Sequence, residues 1–227
     1  MPRRIKSISN YSFDPAITPL IEGYKQFRSK YFGKSKSLEK LVTHDQKPKI
    51  LVISCSDSRV DPAIILGSKP GELFVVRNVA NLVPPFESDL KHHGTSAALE
   101  FGVLDLEVKH IIVLGHTHCG GIRALMEAPE NTPPSNFITA WMDIADSAKA
   151  QVLKEHPECT LDEQAHHCEK NSLVISLRNL ETFPWIQERV LKKELSLHAW
   201  YFELSSGTIN TYQTDQDQFI PLDSDLF

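Results

Sequence analysis

Lys49-Ile-Leu-Val-Ile-Ser-Cys55 and His110-Ile-Ile-Val-Leu-Gly-His116 decide the fold of this chain. Each is a short apolar run, rich in β-branched residues, that ends on a side chain able to ligate a metal. Runs of this length without polar alternation read as buried strands of a parallel sheet. In open parallel sheets, ligand sites form in the crevice beyond the carboxyl ends of the strands. Cys55 and His116 therefore meet there despite their separation in sequence, and the turn after His116 brings in Cys119. Two sulfurs and an imidazole make a zinc set with one coordination position open, which separates a catalytic zinc from a structural one.

The surrounding text alternates strand and helix. Asp61-Pro62 starts a short helix, with aspartate as N-cap and proline in the first turn. Gly71-Glu-Leu-Phe-Val-Val76 is a further strand, and paired prolines make 82–90 a loop. Residues 94–106 carry Ala97, Ala98, Leu99, Phe101 and Val103 at helical spacing. This alternation predicts an α/β fold whose central, mostly parallel sheet is flanked by helices. Segments 136–155, 162–180 and 185–193 are helical in period. Segments 196–204 and 208–212, around Ser-Ser-Gly, read as a hairpin that adds antiparallel strand at the sheet edge. Ile17, Ile21, Tyr24, Phe27 and Tyr31 predict an N-terminal helical arm. That arm either covers its own core or embraces a second subunit. The chain reads as a single domain, 1–227: the arm over 1–44, a zinc-bearing sheet core over 45–130, and a helical part with the C-terminal hairpin over 131–227.

The chain has 227 residues, 41% hydrophobic and 23% charged, with a formal net charge of −5. A mildly acidic chain has no electrostatic pull toward nucleic acid or anionic lipid, so neither is an expected partner. No apolar run reaches the length of a membrane span, and the first residues lack the apolar stretch of an export signal. Four cysteines, two of them in ligand positions, point to a reducing compartment, and a cytoplasmic protein is expected.

Two motifs carry the chemistry. In Cys55-Ser-Asp57-Ser-Arg59, the acid and base two apart either close the turn as a structural ion pair or serve the metal. In the second case Asp57, fixed by Arg59, accepts a hydrogen bond from a zinc-bound water or itself takes the fourth coordination site. In His116-Thr-His118-Cys119-Gly120-Gly121, the glycines let backbone N–H groups approach a small ligand near a helix start. Two thiolates cancel the charge of zinc, so a water on this set is less acidified than on three histidines, where its pKa is about 7. Activity is thus expected to follow a group titrating at or above neutrality, with Asp57 competing for the metal at lower pH.

Cys55-Ser-Asp-Ser-Arg59, the run 70–81 (Pro-Gly-Glu-Leu-Phe-Val-Val-Arg-Asn-Val-Ala-Asn) and Gly115-His-Thr-His-Cys-Gly-Gly121 resemble the β-class carbonic anhydrases, from about residue 44 to 214. The resemblance implies that Cys55, His116 and Cys119 bind Zn²⁺ and that Asp57 and Arg59 form a catalytic dyad. It implies that Gln46, placed as in the plant-like branch, hydrogen-bonds substrate, and that Gly120 donates its N–H. Phe74, Val79 and Phe101 would line a small apolar CO₂ pocket. The implied reaction is reversible hydration of CO₂ to bicarbonate and a proton by zinc-hydroxide attack, in a homodimer or larger homo-oligomer whose N-terminal helices clasp the partner. Phe101 stands where many relatives carry tyrosine. Val52 stands where relatives with an inhibitory bicarbonate pocket carry tryptophan, although Arg77 of that pocket is present.

Other groups have plainer readings. Cys159, His166, His167 and Cys168 match no zinc spacing, and packed cysteine is the ordinary case. His92, His93 and His118 could carry a proton but read as surface histidines, and Trp141, Trp185 and Trp200 as packing. A cysteine phosphatase needs Cys-x₅-Arg, whereas Arg59 follows Cys55 by four. A carbonyl sulfide or carbon disulfide hydrolase on the same fold, and a non-catalytic zinc-binding bicarbonate sensor, are the alternatives.

Overall fold

The computed structural model describes residues 15–33, 38, 46–89, 91–129 and 135–222. The chain divides into two compact units, Met1–Gln46 and Lys47–Phe227. In the first, helix α1 (Thr18–Phe32) carries proline in its opening turn, where a missing N–H costs nothing. Phe27 and Tyr31, one turn apart, lie with ring centroids 4.9 Å apart. No residue of α1 is buried, and Leu20, Tyr24, Phe27 and Phe32 are exposed. The rest of the expected arm, 1–14, 34–37 and 39–44, lies outside the described residues.

The second unit is built on one sheet. β1 (Ile50–Cys55), β2 (Leu73–Asn78), β3 (His110–His116), β4 (Ser196–Phe202), β5 (Ile209–Gln213) and β6 (Gln218–Pro221) run in the order β2-β1-β3-β4-β5-β6. The first four in that order are parallel, and β5 and β6 are antiparallel additions. The 196–212 hairpin forms as the sequence predicts, but β6 extends the edge by one more strand. Gln218-Phe-Ile-Pro221 is short and closes on proline, which has no N–H for a ladder. It carries little strand signal, yet suits a sheet edge.

Helices α2 (Pro62–Ile65), α3 (Gly94–Glu100), α4 (Gly120–Glu127), α5 (Phe137–Met142), α6 (Asp146–Glu155), α7 (Leu161–Glu181) and α8 (Pro184–Leu191) complete the unit. Alternate strand residues Leu51, Ile53, Ile111 and Val113 bury one sheet face against Leu99, Val103, Leu173, Leu180 and Phe183. The longest helix, α7, starts where Thr160 accepts from the Glu163 N–H while Glu163 reaches back to the Thr160 N–H. This reciprocal cap satisfies two otherwise orphaned donors. α7 packs on β3 closely enough that a side chain at Gly115 would meet Leu173 at 3.0 Å.

Two expected helices are interrupted. The one over 94–106 is α-helical to Glu100, then widens into a π-helical turn, Phe101–Asp105, with the Leu106 N–H bonded to the Phe101 carbonyl. The one over 136–155 breaks after Met142 into a 3-10 turn, Asp143–Ala145, before α6. The break lets α5 tie to the sheet end, the Trp141 indole N–H donating to the Val79 carbonyl at 2.8 Å, while α6 packs on α7.

Candidate metal centre

Parallel pairing of β1 with β3 sets Ser54 opposite Leu114, so Cys55 and His116 emerge from neighbouring strand ends. Thr117 and His118 then turn the chain, with His118 in the left-handed region at φ 56°, and deliver Cys119 as the N-cap of α4. The ligand atoms of Cys55, His116 and Cys119 lie within 4.8 Å of one another, and all three residues are buried. A side chain at Gly121 would meet Val79 at 2.9 Å and Ala80 at 3.1 Å, so glycine lets α4 begin this close to the turn Val79–Asn81.

The protonation pattern of this group suits a cation. His116 Nδ1 lies 2.8 Å from the Thr117 carbonyl, which fixes Nδ1 as the protonated nitrogen. Nε2, with its lone pair, is buried and has no hydrogen-bond partner. The Cys119 thiol, the adjacent His116 and the Asp57 N–H at 3.4 Å together pull the Cys55 thiol well below its ordinary value. The contact with Cys55, with burial, pushes the Cys119 thiol up. Two sulfurs and an imidazole nitrogen without a hydrogen-bond partner thus face one another. These donors fit zinc in kind and number, and leave a coordination position open.

Asp57 and Arg59 stand at the rim. Asp57 Oδ1 accepts from the Arg59 backbone N–H at 2.9 Å and from Nε at 3.0 Å, and Oδ2 accepts from Nη2 at 2.7 Å. These bonds hold the Asp57 carboxyl well below the usual carboxylate range. Arg59 Nη2 also donates to the His118 carbonyl at 3.1 Å, joining the two strand-end loops. Asp57 does not belong to the ligand cluster, and Arg59 engages both of its oxygens.

Arg77 on β2 braces the loop from beneath. It donates to the carbonyls of Cys55, Asp57 and Val60 at 2.9, 2.7 and 3.2 Å, and to Asp61 at 3.3 Å. Its fork is engaged in shaping the loop that follows β1.

Glu169 is a site residue that sequence reasoning missed. It is buried on α7, accepts from the Cys119 N–H at 2.8 Å and from the Tyr201 hydroxyl at 2.5 Å, and so fixes the second loop. The available signal was its place among Ala165, Ser172, Leu173 and Ser176 on the inward face of a strongly periodic helix.

The expected substrate residues do not gather in one place. Val79 and Gly120 lie at the strand ends near the cluster. Phe74 and Phe101 pair with each other, ring centroids 5.9 Å apart, but Phe74 faces Leu51, four residues before Cys55 on the sheet. That offset is about 13 Å along the strand. Gln46 is an exposed residue closing the first unit. Among the described residues, no helix is long and apolar enough to cross a membrane.

The family model for carbonic anhydrase matches residues 50–209. "Beta carbonic anhydrase 5, chloroplastic" of Arabidopsis thaliana is 44% identical over 170 residues, 75% of this chain. The match spans 56% of that relative's length. The structure of the β-carbonic anhydrase CcaA is similar with a TM-score of 0.83 and 33% identity, over 92% of this chain and 93% of that one. A tetrameric β-carbonic anhydrase of the filamentous ascomycete Sordaria macrospora follows at TM-score 0.74 and 28% identity, over 86% and 94%. With a parallel sheet that ends in a buried Cys–His–Cys cluster, these likenesses lead to one conclusion: the chain belongs to the β-class carbonic anhydrases.

Proposed function

We propose that this chain catalyses the reversible hydration of CO₂ to bicarbonate and a proton on a Zn²⁺ ion held by Cys55, His116 and Cys119. The observation that carries this reading is the buried, unpartnered Nε2 of His116 converging with two thiol sulfurs. Bound there, zinc supplies the Lewis acidity that makes a water nucleophilic near neutral pH. Asp57, ionised and clamped by Arg59, accepts a hydrogen bond from that water and aims its oxygen lone pair at the substrate carbon. Its part is orientation rather than ligation, because both carboxylate oxygens already answer to Arg59. Val79 offers an apolar wall for CO₂. The Gly120 N–H steadies an oxygen that gains charge as the C–O bond forms. Water plus CO₂ gives bicarbonate, and one proton leaves to solvent.

Stopped-flow CO₂ hydration on protein of measured zinc content tests this reading. Hydration is expected with one equivalent of zinc, and its absence from fully loaded protein defeats the proposal. Running carbonyl sulfide alongside separates the hydrolase alternative.

The working form on this reading is a homo-oligomer. Phe74 and Phe101 lie too far down the sheet to meet the Val79 wall of their own subunit, which favours a second copy as their point of use. The tetrameric relative accords with such assembly. Mixing subunits that carry Asp57→Asn with subunits that carry Phe74→Ala should restore about a quarter of the wild-type sites, since mixed dimers each regain one intact site. No recovery on mixing would return those residues to a purely packing role. A reducing, cytoplasmic setting accords with four free cysteines, although one relative is chloroplastic by name.

A further inference from the structure

A second histidine–cysteine cluster lies outside the centre described above. His156, Cys159 and His167 bring their ligand atoms within 4.8 Å of one another, each half-buried. His156 is the C-cap of α6 and its N–H bonds to the Val152 carbonyl at 2.8 Å. Its own carbonyl accepts from the Gln164 side chain at 2.9 Å and from the Cys159 N–H at 3.3 Å. The reciprocal cap at Thr160 then starts α7, and His167 follows two turns later on the same face. The loop that carries two of the donors is therefore pinned to the helix that carries the third.

The two imidazoles are uncommitted. Among the described residues neither imidazole makes a hydrogen bond or ion pair; the two rings stack on each other, centroids 3.9 Å apart and 13° from parallel. By contrast His166, the residue before His167, lies 3.0 Å from the Tyr201 hydroxyl, and Cys168 is fully buried, its thiol pushed up to about 12 by burial. The Cys159 sulfur is 3.9 Å from Glu158 Oε1, which places a carboxylate beside the cluster. Burial and the charges of Glu158 and Glu163 push the Cys159 thiol up, and those same carboxylates favour a dication there.

We propose that His156, Cys159 and His167 form a second metal site, selective for borderline divalent ions such as Zn²⁺ or Co²⁺, with Glu158 or water as fourth ligand. Two imidazoles and a sulfur suit these ions, whereas Mg²⁺ and Ca²⁺ call for oxygen donors. Imidazole lone pairs lie in the ring plane, so stacked rings cannot share an ion. Binding turns one ring about its Cβ–Cγ bond, and His156, at the helix end, is the freer of the two. The ion displaces the thiol proton of Cys159 to solvent and binds the thiolate.

The test compares metal content in full-length wild type, Cys159→Ser and His167→Gln after stripping, reloading with zinc and gel filtration. Wild type should hold one equivalent more zinc than either variant. Co²⁺ added to wild type that carries zinc at the first centre alone should give a thiolate charge-transfer absorption that Cys159→Ser lacks. Zinc should also shield Cys159 of the wild type from a thiol reagent, a readout that needs no variant. Equal metal content in all three proteins, together with unshielded Cys159, would overturn the proposal.

Discussion

Cys55, His116 and Cys119 come from two neighbouring strand ends and are sealed from solvent. His156, Cys159 and His167 come from one short stretch, 156–167, and stand half-exposed across a helix start. In the first cluster the sheet register and the carboxylate of Glu169 position the donors. In the second, two rings lie stacked and have to part before they can bind. The contrast teaches that the cost of arranging ligands is met by folding in one case and at binding in the other. A site arranged by folding suits chemistry that needs a fixed vacancy, and a local one suits reversible occupancy.

The largest expected effect comes from breaking the first cluster. Cys119→Ser should leave the protein with trace metal at that centre and cut CO₂ hydration by roughly a thousandfold or more, since Lewis-acid assistance is worth several kcal/mol. Zinc analysis beside stopped-flow rates checks this. Full activity in a metal-free variant would remove the centre from the reaction.

Asp57→Asn comes next. It keeps the ligands and should keep the zinc, while turnover falls by roughly 10²-fold or more, as expected when the group that orients the attacking oxygen is lost. Its pH behaviour sharpens the assignment. Arg59 holds the Asp57 pKa below the ordinary carboxylate value, so Asp57 stays ionised from pH 6 to 9. A group shifted this way adds stability above about pH 4, lost as pH falls further, and the effect is small because Arg59 is half-exposed. The rise in rate expected across pH 6 to 9 therefore belongs to another group. The variant should show the same midpoint at lower amplitude. A midpoint that moves with the substitution would make Asp57 the titrating residue.

Glu169 tests the claim that folding holds the first cluster. Glu169→Ala leaves the buried Cys119 N–H without its acceptor and leaves the Tyr201 hydroxyl with only His166 Nδ1 within reach. The expected outcome is a 10- to 100-fold loss of zinc affinity, typical for residues that orient ligands. Glu169→Gln keeps an acceptor at Cys119 and should recover most of it. Competition against a chelator reads both variants, and equal losses in the two would mean that the charge, not the positioning, matters.

The first cluster was legible in the sequence because strand ends are. Two apolar runs that each stop on a ligand residue fix their own neighbours once the sheet is parallel. The Asp57–Arg59 pair was legible for a similar reason, being local and adjacent to a ligand. Glu169 was not, because nothing in its own neighbourhood reveals that α7 packs with this turn against the Cys119 loop. The second cluster escaped for the opposite reason. His156 ends one helix and His167 lies inside the next, so only the angle between α6 and α7 brings them together. Strand β6 and the break in 136–155 depend on edge pairing and on the Trp141–Val79 bond, which periodicity does not encode.

The smallest effect should come from the second cluster, and it is the one that keeps the two apart. Cys159→Ser and His167→Gln touch none of the residues that hold or aim the reacting water, so hydration should stay within about twofold of wild type. What they should lose is zinc-dependent stability. With the first centre filled, free zinc at tenfold the second site's Kd stabilises the folded chain by about 1.4 kcal/mol. In a protein of this size that raises the thermal midpoint by roughly 3–6 °C. The variants should show no such rise. A tenfold loss of turnover in either variant would join the clusters into one functional unit, and an undiminished zinc shift would place the extra ion elsewhere.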